Sequence, residues 1–450
     1  MRFSELDGAR VGVWGAGREI ASLADQIARR QPRTRIVAAA FDSPPGEDVR
    51  ELLKAPDARL LEAGEAASGL SSCDVVVRSP GVPANRPELR AVRESGVTVT
   101  TPTDLWLCEH GGERVIGVTG TKGKSTTAAL ACHLARAAGR SVELAGNIGA
   151  PALDLLDREP TELVVLELSS YQVADLSCGP EVAVVTSLFR EHTDWHGSEE
   201  AYRSDKLRLL TLPGVRCAVV NGRDEALSDA TGATPRVEFG TAAGWDLTPA
   251  GIVRRGELVV PRAALALPGD HNALNACAAL AALEVLGVEI SDPAGALRGF
   301  APLPHRLQQI AQTDGLIWVD DSISTTPESA LAALDSFPGR DVVLIGGGQD
   351  RGQDYVGLGR ALAERRALVI GVPSTGARLI DCARAAGVPA QSALVAGDLA
   401  AAVALARDLA PEGSVVLLSP AAPSYDSYRD FEERGALFRT LAAGGSAADS

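Results

Sequence analysis

The stretch "RVIGVTGTKGKSTTAALACHLARAAG" (residues 114–139) carries three patterns in succession. An apolar run reads as a buried strand. A glycine-rich turn follows it. The small and apolar residues after that read as a helix, with Gly139 as its C-terminal cap. Strand, glycine loop and helix in that order are the context of a phosphate-binding loop. The usual spelling would put its first glycine where Val118 stands, and Lys122 sits at the tip, so this is a variant of the loop. Gly120 and Gly123 let backbone N–H groups turn inward on a phosphate, and the helix N-terminus adds a favourable dipole. Lys124 can reach terminal phosphates and Ser125 can hold Mg²⁺. The alternative is a structural glycine turn, and Gly-Lys-Ser-Thr in this context weighs against it.

Outward from this stretch, apolar runs keep alternating with helical segments. Upstream are "RVGVWGAG" (10–17), the amphipathic "REIASLADQIARR" (18–30), "RIVAAAFD" (35–42) and "CDVVVRSPG" (73–81). Downstream are "ELVVLELSS" (162–170) and "EVAVVTSLF" (181–189), and then a third series with "DVVLIGGG" (341–348), "ALVIGVPS" (367–374) and "SVVLLSP" (414–420). Such alternation is the pattern of parallel sheets covered by helices. Pro-containing stretches at 98–104 and 300–306 separate the series. The chain has 450 residues, enough for two to four domains at roughly 100–200 residues each. The expectation is three α/β domains, residues 1–102, 103–303 and 304–450, with the phosphate loop in the second.

Composition narrows the function. A net charge of −15 argues against non-specific nucleic-acid binding, which needs a basic surface. No run approaches the ~18 apolar residues of a membrane span, and the N-terminus lacks the apolar stretch of a signal peptide. The seven cysteines show no C-x-x-C pair. They read as reduced thiols in a cytoplasmic protein, with neither a zinc site nor a disulfide frame.

Other residues are less decisive alone. Glu167 ends an apolar strand, where α/β sheets place ligands. It is either a magnesium ligand or a structural acid with a basic neighbour. "REHTDWHG" (190–197) reads as a polar surface loop on its own, although His192 and Asp194 can act on metal or phosphate. Lys206 looks like an ordinary solvated helix lysine. "GAGREI" (15–20) is an incomplete dinucleotide turn, with Ile20 in place of the third glycine, and Asp42 stands where a ribose- or base-binding acid would. Asn272 and Asn275 begin a helix as caps or as base-reading amides, capping being the safer reading for one of them.

Taken together, these pieces resemble the Mur ligase family. "TGTKGKST", "AGNIG" (145–149), "LELSSYQ" (166–172), "EHTDWH", "HNALNA", "PHRL" (304–307), "DDS" (320–322) and "LLSPAAPSYDSYRDFEERG" (417–435) follow the family order over nearly the whole chain. "ELSSYQ" and the C-terminal motif mark the glutamate-adding branch. The resemblance implies an N-terminal Rossmann-like UDP-binding domain, a central P-loop ATPase domain and a C-terminal Rossmann-like domain. It implies an ATP-dependent ligase of peptidoglycan precursor synthesis, joining glutamate to UDP-N-acetylmuramoyl-L-alanine through an acyl phosphate. Such an enzyme is expected to work as a cytoplasmic monomer, with no nucleic-acid or membrane partner.

Residue roles follow from the same resemblance. Thr121, Gly123, Lys124, Ser125 and Thr126 hold the ATP phosphates, and Asn275, Arg306 and Asp321 contact ATP. Ser125 and Glu167 hold one Mg²⁺. His192 holds a second, beside Lys206 carboxylated by CO₂. Asn147 lines the meeting place of acyl group and γ-phosphate. Gly15 and Gly17 bind UDP, with Asp42 and Ser43 near uracil. Thr325, Arg351, Ser424 and Phe431 surround the incoming glutamate. Departures from the family pattern are Lys122 for asparagine, and Ile323 and Arg351 for lysines of the amino-acid pocket. These changes, with "TKGKST" and "DSISTTPES", point to the subfamily that adds L-glutamate, whereas the ordinary branch adds D-glutamate. Two alternatives stand beside this reading. Folylpolyglutamate synthase shares the ATP domain but lacks such an N-terminal domain. A non-catalytic precursor-binding relative would be expected to have lost Lys124, Glu167, His192 or Lys206.

Overall fold

The computed structural model describes residues 1–41, 49–189, 198–228, 234–267, 269–301, 303–350 and 353–444. The chain divides into two compact units, residues 1–266 with 270–300, and 267–269 with 301–450.

The first unit carries two sheets. The first sheet has five parallel strands in the spatial order Arg59–Leu61, Arg35–Ala40, Arg10–Trp14, Val75–Arg78, Thr98–Thr100. The order reverses at the central strand, as in a Rossmann half. Arg10–Trp14 is buried in all but its first residue, as expected for a strand covered on both faces. The helix Arg18–Arg30 follows. It buries Ile20, Leu23, Ala24 and Ile27 at helical spacing, and it ends on Arg29 and Arg30, which complement the negative end of its dipole.

The second sheet has nine strands. Its parallel core runs Arg236–Phe239, Cys217–Asn221, Val182–Val185, Val115–Thr119, Leu163–Glu167, Val142–Gly146. At one edge Trp245–Thr248 pairs in parallel with Arg236–Phe239, and Gly251–Arg254 and Glu257–Pro261 extend the sheet as antiparallel strands. The sequence reading contained none of these last three strands. They are short, their apolar runs are no longer than residues 258–260, and they are stabilised by pairing along the sheet edge.

The stretch 98–104, read from sequence as a separator, is structured. It holds the edge strand Thr98–Thr100 and the start of the helix Pro102–His110. Thr101 caps that helix by accepting from the Asp104 N–H, and Pro102 takes the first turn, where no backbone donor is needed.

The second unit has a six-stranded sheet in the order Gln308–Thr313, Leu316–Asp320, Val415–Leu418, Val342–Gly346, Leu368–Gly371, Ala393–Val395. Only the first of these strands is antiparallel to its neighbour. Among the described residues no helix is long and apolar enough to cross a membrane.

One expectation fails. Cys108 and Cys178, 70 residues apart, form a disulfide with a Cα–Cα distance of 5.3 Å. The other five cysteines are free. Pairing over such a separation depends on the approach of the Pro102–His110 helix to the segment before Val182–Val185, and cysteine spacing does not encode that approach.

Candidate active site

The strand Val115–Thr119 delivers the chain to a loop shaped by two glycines. A Cβ on Gly120 would lie 2.0 Å from Thr186 Oγ1, and one on Gly123 2.3 Å from Asn275 Oδ1. Gly120 has φ +146° and Gly123 φ +85°, so these positions exclude side chains both by space and by conformation. The loop is anchored from beneath. The Thr121 N–H donates to Ser187 O at 2.8 Å and the Lys122 N–H to Ser187 Oγ at 2.9 Å. The hydroxyls of Thr121 and Tyr202 are hydrogen-bonded at 2.8 Å.

The helix Lys124–Ala137 begins on Gly123 with no side-chain cap. Its first N–H groups therefore have no side-chain acceptor at the N-cap, the arrangement that suits an anion. Lys124 Nζ donates to Gly120 O at 2.9 Å and Thr121 O at 3.0 Å. Ser125 and Thr126 are buried in the first turn.

Lys206 differs from its reading by spacing as a solvated lysine. It is 2% exposed, and its Nζ donates to Gly120 O at 2.8 Å and lies 4.9 Å from the Tyr202 ring centroid. Tyr202 and Lys206 are the two buried residues of the helix Glu199–Arg208. They stand four apart, on one face. Lys124 and Lys206 thus bring two ammonium groups to the same carbonyl. Like charges at such range favour an anion between them.

Glu167 closes the adjacent strand and is 1% exposed. Its Oε1 accepts from Asn147 Nδ2 at 2.9 Å. Its Oε2 is buried with no hydrogen-bond partner among the described residues. No basic side chain pairs with it there, so the structural-acid reading lacks the neighbour it required. An orphaned buried carboxylate oxygen beside a phosphate loop is the donor that a hard cation takes, and the residues fit Mg²⁺ on that ground. The Asn147 N–H also donates to Glu167 O at 2.8 Å. Gly146 has φ +100°, and a Cβ on it would meet Glu167 O at 2.3 Å.

Asn272 and Asn275 lie inside the helix Asp270–Val285 rather than capping it. Asn275 packs on Gly123, and its Nδ2 donates to Asn272 Oδ1 at 3.4 Å. In the N-terminal sheet, the Gly15 N–H donates to Ala40 O at 2.9 Å, and a Cβ on Gly15 would come within 2.8 Å of the Ser79 Cβ. Gly17 is the N-cap of the helix Arg18–Arg30. Asp42, Ser43, His192, Asp194 and Arg351 lie outside the described residues.

In the second unit, Asp321 is buried at the end of Leu316–Asp320. Its Oδ1 accepts from the Leu307 N–H at 3.1 Å, and its Oδ2 accepts from Ser419 Oγ at 2.8 Å and from Ser324 Oγ. Leu307 follows Arg306 and has φ +44°. Asp321 thereby fixes the "PHRL" bend. Phe431 O accepts from Ser322 Oγ at 2.8 Å, Ser424 is 2% exposed, and Thr325 is half-buried.

Sequence reading missed two features of this unit. His305 Nδ1 pairs with the buried Asp320 Oδ2 at 2.7 Å. Arg434, nearly fully buried, donates to Ser322 Oγ at 2.9 Å, Ser322 O at 2.7 Å and Ala422 O at 3.3 Å. Burial pushes its guanidinium down to about 10. Their signal lay in the adjacent acids of "DDS" and the arginine of "EERG".

Burial raises the Asp321 carboxyl to about 6, against the pull of its serine hydrogen bonds. Its folded value lies above an unfolded value of about 4. Its stabilising contribution is therefore complete below pH ~4 and lost as pH rises through about 6. The Asp321→Asn variant removes a buried charge at neutral pH. It should melt a few degrees higher at pH 8 and gain little at pH 4. Thermal melts at the two pH values check this, and an equal shift at both would contradict it.

Residues 118–283 match the family model described as the Mur ligase middle domain, and 305–422 that described as the Mur ligase glutamate ligase domain. A Micromonospora protein named UDP-N-acetylmuramoyl-L-alanine–L-glutamate ligase is 46% identical over 452 residues, covering 97% of each chain. A Xanthomonas euvesicatoria protein of the same name is 40% identical over 457 residues, covering 98% of this chain and 97% of its own. The crystal structure of a MurF ligase from Thermotoga maritima in complex with ADP has a similar fold. Its TM-score is 0.59 at 17% identity, covering 97% of this chain and 99% of that one.

Proposed function

The chain belongs to the Mur ligase family, and from that premise we propose that it is an ATP-dependent ligase adding L-glutamate to UDP-N-acetylmuramoyl-L-alanine in peptidoglycan precursor synthesis. The observation that carries this reading is identity of 40–46% over nearly the full length of relatives that bear that activity as their name. We assign residues 1–102 to the UDP precursor, 103–303 to ATP and 304–450 to glutamate, and place the reaction in the cytoplasm.

The chemistry follows from the residues. The substrate carboxylate attacks the γ-phosphorus of ATP, an acyl phosphate forms and ADP leaves. The glutamate amine then attacks the acyl carbon, and phosphate leaves as the amide forms. Most of the catalysis is positioning and charge neutralisation. We assign Thr121, Gly123, Lys124, Ser125 and Thr126 to cradling the phosphates. The Lys124 ammonium, four residues from the carbonyl it now touches, is within side-chain reach of a phosphate in the loop. Asn147 holds Glu167 Oε1 and leaves Oε2 for the cation. Ser125, Glu167, His192 and a carboxylated Lys206 would hold Mg²⁺, which supplies charge neutralisation on the transferred phosphoryl group when bound. Asn275, Arg306 and Asp321 are assigned to ATP. Gly15, Gly17, Asp42 and Ser43 are assigned to the UDP moiety, and Thr325, Arg351, Ser424 and Phe431 to glutamate.

The N-terminal parallel sheet speaks against the folylpolyglutamate alternative. Retention of Lys124, Glu167, His192 and Lys206 speaks against a non-catalytic relative. Phosphate release from ATP should require UDP-N-acetylmuramoyl-L-alanine and glutamate together. Release driven by a folate substrate, or none with the muramoyl precursor, would overturn the assignment.

A further inference from the structure

The helix Arg18–Arg30 starts immediately after the Gly15–Gly17 turn, and its first residue reaches across to the second sheet of the same unit. Arg18 Nη2 donates to Gly146 O at 2.6 Å and to Asn147 O, and Nη1 donates to Gly149 O at 3.2 Å. Three carbonyls of one tight loop therefore converge on one guanidinium. The loop is held from its other side by Glu167, through both the backbone and the side chain of Asn147. The next residue, Glu19, is buried and grips the segment after Glu167. Its Oε1 accepts from Gln172 Nε2 at 2.7 Å and its Oε2 from Thr103 Oγ1 at 3.0 Å. Two consecutive residues at the start of one helix thus hold the 146–149 loop and the helical turn Ser170–Val173, which follow the strands Val142–Gly146 and Leu163–Glu167.

The docking of this helix does not depend on Arg18. Ser22 Oγ donates to Asp154 Oδ1, Gln26 Nε2 to Asp157 Oδ2 at 2.6 Å and Arg29 Nη1 to Asp157 Oδ2 at 2.6 Å, while Arg30 bonds Leu156 O and Asp157 Oδ1. These contacts fasten the helix along its length. The guanidinium of Arg18, on carbonyls alone in these bonds, shapes the 146–149 loop. A forked, planar cation satisfies several carbonyls at fixed angles, which a lysine does not.

We propose that Arg18 is a positioning residue for the phosphoryl-transfer step: it holds the 146–149 loop, and through Asn147 the Glu167 carboxylate, in reacting geometry from the end of the turn assigned to the UDP precursor. This rests on the function proposed above. Displacements of about 1 Å at such a site cost on the order of 10²-fold in rate.

The test compares Arg18→Ala, Arg18→Lys and Arg30→Ala in the full chain. In Arg18→Ala, kcat should fall about ten- to hundredfold, with KM for ATP unchanged. Methylguanidinium should restore part of the loss, and Arg18→Lys should restore little. Arg30→Ala should lower the melting temperature and leave kcat unchanged. Backbone amide exchange at Gly146 and Asn147 should quicken in Arg18→Ala, whatever the substrate. Unchanged kcat with unchanged exchange would overturn the proposal, and so would a kcat loss that Arg30→Ala reproduces. A wild-type chain inactive on the muramoyl precursor would instead sink the assigned function, while the exchange measurement would still decide the role of Arg18.

Discussion

The Lys206→Ala variant should lose turnover by on the order of 10³-fold, and short carboxylates such as acetate should return part of it. A lysine held 2% exposed beside a second lysine, both on Gly120 O, is a strained place for two positive charges. Neutral Lys206 can add CO₂ at Nζ, forming an N–C bond and releasing a proton, and the product is a carbamate. The pair of like charges then becomes a cation and an anion, and the anion offers the oxygen a hard cation takes. A free carboxylate in the cavity left by alanine supplies the same oxygen. The wild-type rate should also rise with bicarbonate in CO₂-depleted buffer. Full activity in the alanine variant, or loss that no carboxylate relieves, would contradict this account.

Glu167→Gln should produce a loss of similar size by a different route. The glutamine carbonyl can keep the hydrogen bond from Asn147 Nδ2, so the loop retains its shape. Its amide nitrogen replaces the orphaned Oε2, and a donor cannot ligate a cation. Removing an unsatisfied buried charge should leave the melting temperature equal or higher. Turnover falling about 10²–10³-fold with undiminished stability is the expected pattern, and added Mg²⁺ should not restore it. A variant that melts much earlier would instead make Glu167 a structural acid.

Much of the fold was legible, because parallel strands buried on both faces are written as short unbroken apolar runs. Val115–Thr119, Leu163–Glu167 and Val415–Leu418 all lie inside runs recognisable in the sequence. The edge strands from Trp245 onward carry only shorter apolar runs, such as residues 252–253 and 258–260. The phosphate loop was legible because its glycines, lysine and serine are adjacent in the chain. Lys206 was not legible by spacing, because its helix is mostly polar, and a role for it came only from the resemblance to the family. A tyrosine four residues before a lysine in a mostly charged helix was the local signal. Arg18 on the 146–149 loop, His305 on Asp320 and Cys108 on Cys178 join residues distant in the chain, and only the fold brings them together.

Arg351 and Ile323 stand where the ordinary branch has lysines, so one flexible point charge becomes a fork and another is lost. With these residues around the glutamate, as proposed above, the two enantiomers would differ in which carboxylate is left unpaired, a discrimination that can reach several kcal/mol. Amide formation from UDP-N-acetylmuramoyl-L-alanine and ATP, measured with each pure glutamate enantiomer, tests this directly. Turnover with L-glutamate and little with D-glutamate is the predicted result, and a clear preference for D-glutamate would contradict it.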